Sequence, residues 1–246
     1  MNKYNIDYSL AVLSYNIYYK SMLGLDENFL PKQLSQDNVK RIINSYDFDI
    51  IGLQEVACIN KIFDKNNYNY VRGKSGKEYV MTFFKNKFNI LKTKTTDFKE
   101  GRPIQLTLVK NNNEILLVVN LHAPHEYNNF GNYKGEKNIS NKKYSLELLN
   151  ILNYEINNFI EDNNLDRIIL IGDFNEFLQN ETKDFSLIIK NKIYNLKTDN
   201  NLIKTCCFPN FLKEGDLIFD SKNFVKLSIV SNIHPASDHY PIMSII

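Results

Sequence analysis

The stretch Ile168-Ile169-Leu170-Ile171-Gly172-Asp173-Phe174-Asn175 carries four consecutive apolar residues, a glycine, and then an acid, an aromatic and an amide. An apolar run that short, closed by a glycine, reads as a buried β-strand with its polar residues standing at the strand's end. The arrangement recurs on both sides. Leu10-Ala11-Val12-Leu13 runs into Tyr15-Asn16, Ile50-Ile51-Gly52-Leu53 into Gln54-Glu55, and Val118-Val119-Asn120-Leu121 into His122. Toward the C-terminus Asp216 precedes Leu217-Ile218-Phe219, and Ser237-Asp238-His239 precedes Ile242-Met243-Ser244-Ile245-Ile246. Further runs from Tyr79 to Phe84 and from Ile104 to Val109 bring the expected strands to eight.

Helical spacing appears in two places, at Val39, Ile42, Ile43 and Tyr46 and at Leu149, Leu152, Ile156, Phe159 and Ile160, each with polar residues on the other face. Residues 104 to 121 read as a β-hairpin joined through Lys110-Asn111-Asn112-Asn113-Glu114. Two segments read as loops suited to an anionic substrate. Glu126 to Lys143 holds Gly131, Gly135 and four lysines, and Arg72-Gly73-Lys74-Ser75-Gly76-Lys77 holds three positive charges.

With 246 residues, 43% hydrophobic and 24% charged, the chain is expected to form one domain over residues 1–246. A net charge of +2 excludes a protein that grips nucleic acid by bulk charge, so any such contact must be local. No apolar run reaches membrane-spanning length and the N-terminus Met1 to Asp7 does not lead into a secretory signal. Cys58, Cys206 and Cys207 are an odd set and a poor basis for a disulfide framework or a zinc site. An intracellular place, cytoplasmic or nuclear, is expected.

If the strand ends converge, one site holds Asn16, Glu55, His122, Asp173, Asn175, Asp216, Asp238 and His239. Carboxylate and amide oxygens without a cysteine suit a hard cation such as Mg²⁺, with Mn²⁺ as a substitute. Histidines beside acids suit proton transfer, because the acid fixes the ring and stabilises its charge. Taken singly, each of these residues has a plain reading as a turn residue, a helix cap or a satisfied core group. Their joint pattern points to phosphoester hydrolysis.

In order along the chain, Ser14-Tyr15-Asn16, Asp49-Ile50-Ile51-Gly52-Leu53-Gln54-Glu55-Val56, Asn120-Leu121-His122, Ile171-Gly172-Asp173-Phe174-Asn175, Gly215-Asp216-Leu217-Ile218-Phe219 and Ser237-Asp238-His239-Tyr240-Pro241-Ile242 resemble the endonuclease/exonuclease/phosphatase superfamily with its DNase I-like fold. The resemblance implies a four-layer α/β sandwich, two mostly antiparallel β-sheets packed face to face with helices outside, and a divalent metal at one rim. It implies Glu55 as the main metal ligand, assisted by Asn16, with Asp238 holding metal or histidine. It further implies that Asp173 orients or deprotonates the attacking water, that Asn175 holds the phosphate, that His239 pairs with Asp216, and that His122 is the second histidine. By the same likeness Glu78, at the head of a strand, partners His122, and Arg102 contacts phosphate through its guanidinium fork.

The expected activity is a Mg²⁺-dependent phosphodiester hydrolase, foremost a nuclease or nucleic-acid phosphodiesterase. A sphingomyelinase-like enzyme on a lipid or small phosphorylated molecule, and a non-catalytic binding module, are the alternatives. Glu214-Gly215-Asp216 departs from the inositol-polyphosphate phosphatase pattern, Asn16-Ile17-Tyr18-Tyr19 from that of the abasic-site endonucleases and tyrosyl-DNA phosphodiesterases, and no exposed apolar hairpin of the kind a lipid enzyme would use stands out. Tyr18, Tyr19, Tyr127 and Tyr133 are candidates for stacking on bases.

Overall fold

The computed structural model describes residues 9–57, 67–98, 101–124, 137–162, 164–175, 184–199, 203–206, 214–223, 225–230 and 236–246. Strands β1 (Ala11–Asn16), β2 (Ile50–Gln54), β3 (Tyr68–Ser75), β4 (Glu78–Lys85), β12 (Ser228–Ile229) and β13 (Ile242–Ile245) form one sheet in the order β12-β13-β1-β2-β4-β3. Strands β5 (Asn89–Asp97), β6 (Pro103–Asn111), β7 (Glu114–His122), β8 (Arg167–Asp173) and β11 (Asp216–Asp220) form the other, in the order β11-β8-β7-β6-β5. Each sheet holds one parallel pair, β1 with β2 and β7 with β8, and is otherwise antiparallel. The sheets face each other, β1 against β8 and β2 against β7.

Helices α1 (Tyr19–Leu23) and α2 (Lys32–Ile43) contribute Met22, Val39, Ile42 and Ile43 to a core with Leu13, Tyr15, Ile51 and Leu53 on the outer face of the first sheet. Helix α3 (Lys137–Phe159) brings Leu148, Leu152, Ile156 and Phe159 to the second core, which also holds the apolar residues between the sheets. The expected α/β sandwich, with helices outside two mostly antiparallel sheets, is the architecture observed.

All eight expected strands are present, and the 104–121 hairpin closes on Asn112, whose φ of 55° is the left-handed value that Asn tolerates well. Several expectations fail. Residues 72–75, read as a loop, are the end of β3, so only Gly76 and Lys77 make the turn to β4. The polar segment read as a loop through Lys143 is helical from Lys137, because lysine propagates a helix well once an apolar stretch has nucleated it; its earlier part lies outside the described residues. Helix α2 ends at Ile43, so Tyr46 lies beyond it and is exposed. The sulfur of Cys206 is disulfide-bonded, against the expectation from an odd cysteine count, and its partner lies outside the described residues.

The strands missed in the sequence are β3, β5, β9 (Phe185–Ile189), β10 (Lys192–Leu196) and the short β12. Strands β3 and β5 lie at sheet edges, where alternating Lys, Thr, Asn and Arg face solvent and leave no apolar run to read. β9 and β10 form a hairpin on which Ile188 and Ile193, directly opposite each other, are exposed, contrary to the expectation of no such feature. Its Tyr194 hydroxyl donates to Leu165 O, two residues before β8, whose own length of about 20 Å separates that end from Asp173. The exposed pair is therefore remote from the strand ends that carry the acids. Among the described residues no helix is long and apolar enough to cross a membrane.

Candidate active site

Along the inward faces of the central strands, side chains change from apolar to polar as one rim is approached. β1 offers Val12, Ser14 and Asn16; β2 offers Ile50, Gly52 and Gln54; β7 offers Val118, Asn120 and His122. Period-two alternation alone places these residues on the shared interior, since every second side chain points the same way. A Cβ on Gly52 would lie 2.4 Å from Ile171 Cδ1, so glycine lets the sheets approach closely here. Next to it Asn120 bridges the sheets, accepting from Gln54 Nε2 at 2.7 Å and donating to Met81 O at 3.0 Å and to Thr82 Oγ1 at 3.1 Å.

Beyond this seam, strand register brings His122 beside Asp173 and Asp216 beside Asp173. Asp173 is fully buried at the centre. Asn16 Nδ2 donates to its Oδ2 at 3.0 Å and to Glu55 Oε1 at 3.3 Å, while the Asn175 N–H donates to its Oδ1 at 2.9 Å. Asn16 Oδ1 accepts from the Tyr18 N–H at 3.0 Å, which turns the amide's donor side toward the carboxylates. Glu55, Tyr18 and Asn175 all carry left-handed φ values, 55°, 48° and 48°, a strain that clusters where side chains must be aimed.

Two histidines flank Asp173. His239 Nδ1 lies 2.8 Å from Asp216 Oδ2, and its Nε2 lies 3.5 Å from Asp173 Oδ2 and 3.8 Å from Asp238 Oδ1. His122 Nδ1 lies 3.0 Å from Glu78 Oε2, and its Nε2 lies 3.4 Å from Asp173 Oδ2. Arg102 Nη1 sits 2.7 Å from Glu78 Oε1 and within 2.9 Å of both His122 ring nitrogens. It reaches them because Gly101 and Gly76, both at positive φ, let two turns meet backbone to backbone; a Cβ on Gly101 would lie 3.2 Å from Gly76 Cα.

Burial opposes charge on both rings, yet the acids prevail. Asp216 and Asp173 push His239 up to about 10, and Glu78 and Asp173 raise His122. Burial works against the Asp173 carboxylate as well, but the two histidines and the Asn16 and Asn175 N–H donors hold it well below the usual range. Burial raises Asp238 to about 6, and repulsion from Glu55 and Asp173 adds to the rise, against the pull of His239. Burial likewise raises Asp216, whose Oδ1 has no hydrogen-bond donor among the described residues. A crowd of carboxylate oxygens that repel one another, with no cysteine among them, is the donor set of a hard divalent cation. Asp173, Asp216 and His239 place ligand atoms within 4.8 Å of one another, a group able to hold a metal ion.

The rim thus collects every residue expected from the sequence: Asn16, Glu55, Glu78, Arg102, His122, Asp173, Asn175, Asp216, Asp238 and His239. Sequence reasoning did not assign the residues that aim them. The Ser237 hydroxyl donates to Asn16 O at 2.7 Å and accepts from the His239 N–H at 3.1 Å, tying β1 to the His239 loop. Thr205 accepts from the Asp216 N–H through Oγ1 at 3.3 Å and from the Tyr240 N–H through its carbonyl at 2.7 Å. Ser237 was legible beside its histidine, whereas nothing around Thr205 marks it. Tyr127 and Tyr133 lie outside the described residues.

The model of the Endonuclease/Exonuclease/phosphatase family matches residues 13–239. No curated relative matches the chain by sequence alone. Among solved structures it is similar to TDP2 from Caenorhabditis elegans, with TM-score 0.67, 17% identity and coverage of 100% of this chain and 76% of that one. It is similar also to ANGEL2, a 2′,3′-cyclic phosphatase in complex with adenosine-2′,3′-vanadate, with TM-score 0.69, 17% identity and coverage of 98% and 96%. TDP2 from D. rerio, complexed with single strand DNA product, follows with TM-score 0.62, 15% identity and coverage of 97% and 99%. At these identities the structures speak for a shared fold. The family match spans nearly the whole chain and ends on His239, and on that ground the protein belongs to the endonuclease/exonuclease/phosphatase family and is an enzyme of phosphoric esters.

Proposed function

We propose that the chain is a Mg²⁺-dependent phosphodiester hydrolase acting on nucleic acid. The observation that carries this reading is Asp173, a buried carboxylate kept charged between two histidines, each backed by its own acid. Such a group accepts a hydrogen bond from a water and aims it without losing its place, because its neighbours fix both oxygens. The single strand DNA product bound by the D. rerio structure supports a nucleic-acid substrate.

In this mechanism Glu55, with Asp238 beside it, holds the cation, and Mn²⁺ would serve in place of Mg²⁺. When bound, the ion supplies Lewis-acid polarisation of a phosphoryl oxygen. Asp173 orients a water for in-line attack and relays to solvent the proton that the water sheds as its bond to phosphorus forms. His239, charged at neutral pH through Asp216, presents its Nε2–H to the oxygen on which negative charge grows. Asn175 and Arg102 hold the remaining phosphate oxygens. Arg102 drawn toward a phosphate leaves the His122 ring, and His122, no longer facing that cation, holds a proton between Glu78 and Asp173 and gives it to the leaving oxygen as that bond breaks.

The test is a panel of plasmid DNA, single-stranded RNA, a 5′-tyrosyl oligonucleotide and sphingomyelin, each with Mg²⁺ and with EDTA. Nucleic-acid cleavage that needs Mg²⁺ is expected, and Asp173→Asn or His239→Gln should lower it at least about 100-fold with the unfolding midpoint retained. Turnover of sphingomyelin alone would overturn the substrate, and full rates in EDTA would overturn the metal.

A further inference from the structure

We propose that the end of the β3–β4 hairpin, Arg72 and Lys74 laid over Tyr79, binds the phosphates of a nucleic-acid strand next to the one being cleaved. The proposal rests on the phosphodiesterase reading of the rim and adds to it a requirement for a polyanionic substrate longer than one phosphate.

Topology places the hairpin. In the order β1-β2-β4-β3, Glu55 follows the end of β2, Glu78 and Tyr79 begin β4, and Lys74 lies opposite Tyr79 on β3. The Tyr79 carbonyl accepts from the N–H of Val56, the residue after Glu55, at 3.0 Å. Lys74 is therefore two strands from β2, about 10 Å at ordinary strand spacing. Alternation sends Glu78 inward to His122 and Tyr79 outward, so the substrate path leads over the rim onto the outer face.

The side chains there are arranged for a polyanion. The Arg72 guanidinium lies 4.1 Å from the centre of the Tyr79 ring and the Lys74 ammonium 5.2 Å, so one half-buried ring holds two exposed cations. Neither cation, nor exposed Lys77 in the turn, has a carboxylate within ion-pair distance among the described residues. Arg102, at the same rim, differs: it is held by Glu78. A rim with Glu55, Glu78, Asp173, Asp216 and Asp238 repels a phosphate chain, and a chain of net charge +2 offers no general attraction to offset it. Unpaired cations beside that rim supply the attraction locally. The contacts are to backbone phosphate and carry no base preference.

The experiment compares wild type with Arg72→Ala/Lys74→Ala. Hydrolysis of bis(p-nitrophenyl) phosphate, too short to reach the hairpin, is the reference for each protein, and a single strand of about 16 nucleotides is the long substrate. Relative to that reference, kcat/KM on the long substrate should fall at least about tenfold in the variant, mostly through KM, as expected when contacts of charge to phosphate are removed. In an Asp173→Asn background, which prevents cleavage, binding of the same strand should lose about 1.4 from the slope of log affinity against log salt, two contacts at about 0.7 each. An unchanged slope and affinity would overturn the proposal. So would loss of binding to phosphatidylserine vesicles with strand binding intact. Absence of any hydrolysis by wild type would instead overturn the catalytic reading, and the binding slope would still decide the hairpin.

Discussion

A Cβ on Gly172 would lie 2.0 Å from the carbonyl oxygen of Leu121, a backbone atom that cannot move without parting β7 from β8. The glycine's φ of 152° compounds the difficulty for any larger residue. Gly172 therefore sets how closely these two strands approach, one residue before Asp173 and directly beside the peptide leading to His122. Gly172→Ala should cost more than about 3 kcal/mol, since neither neighbour is the movable tip of a side chain. For a chain of this length that is a fall of about 10 °C in the unfolding midpoint, measurable by calorimetry. A midpoint within about 2 °C of wild type would mean that the strands part easily. Ile171 beside it tolerates smaller aliphatic residues at the ordinary cost of about 1 kcal/mol per buried methylene. The contrast separates a requirement of backbone geometry from one of packing.

Between the sheets the polar seam does for β2, β4 and β7 what Gly172 does for one strand pair. Asn120 uses its oxygen for Gln54 and its amide for Met81 O and Thr82, and Thr82 passes the chain of bonds to Gln105 at 2.5 Å. All four residues are buried, so each bond is made away from water and none is replaced cheaply. Asn120→Leu leaves Gln54 Nε2 and the Met81 carbonyl without that partner, and should destabilise by about 2–4 kcal/mol in urea unfolding. Because Gln54 and Asn120 stand one and two residues before Glu55 and His122, the same variant should lower kcat as well as stability. A loss of stability with unchanged kcat would show that the seam holds the sheets without aiming the rim. These elements also mark what the sequence discloses. The central strands were legible because both faces are buried and their apolar runs stop at polar residues. β3 and β5 were not, because an edge strand with one wet face alternates Lys, Thr and Asn and resembles a loop. Asn16, Glu55, His122, Asp173 and Asp216 were legible because each stands at the end or start of a strand; Asn175, Asp238 and His239 stand two to four residues off one, and Glu78 and Arg102 followed from the family resemblance. Thr205 and the Gly76–Gly101 contact were not, since they depend on which loops meet, and single-chain spacing does not encode that.

Across the whole molecule, β8 joins two opposite electrostatic solutions about 20 Å apart. At its start Arg167 meets Asp220 through two bonds of 2.8 Å, a buried pair that cancels its own charge. At its end Asp173 lies among Glu55, Asp216 and Asp238, where carboxylates outnumber the histidines that face them. The first end is complete without a ligand, and the second is held together against repulsion. A cation bound only by the folded rim must therefore stabilise the fold, by about 2.7 kcal/mol at a hundredfold excess over its dissociation constant. In a chain of this size that is a rise of about 5–10 °C in the unfolding midpoint on adding Mg²⁺ to EDTA-treated protein. Glu55→Gln should remove most of that rise, and should itself raise the midpoint of the metal-free protein slightly, because one of the charges that push Asp238 upward is gone. The two effects have opposite signs on the same protein, which separates loss of a ligand from general damage. An equal Mg²⁺-induced rise in wild type and Glu55→Gln would place the ion elsewhere, at the group formed by Asp173, Asp216 and His239, and Asp216→Asn would then be the variant that abolishes it.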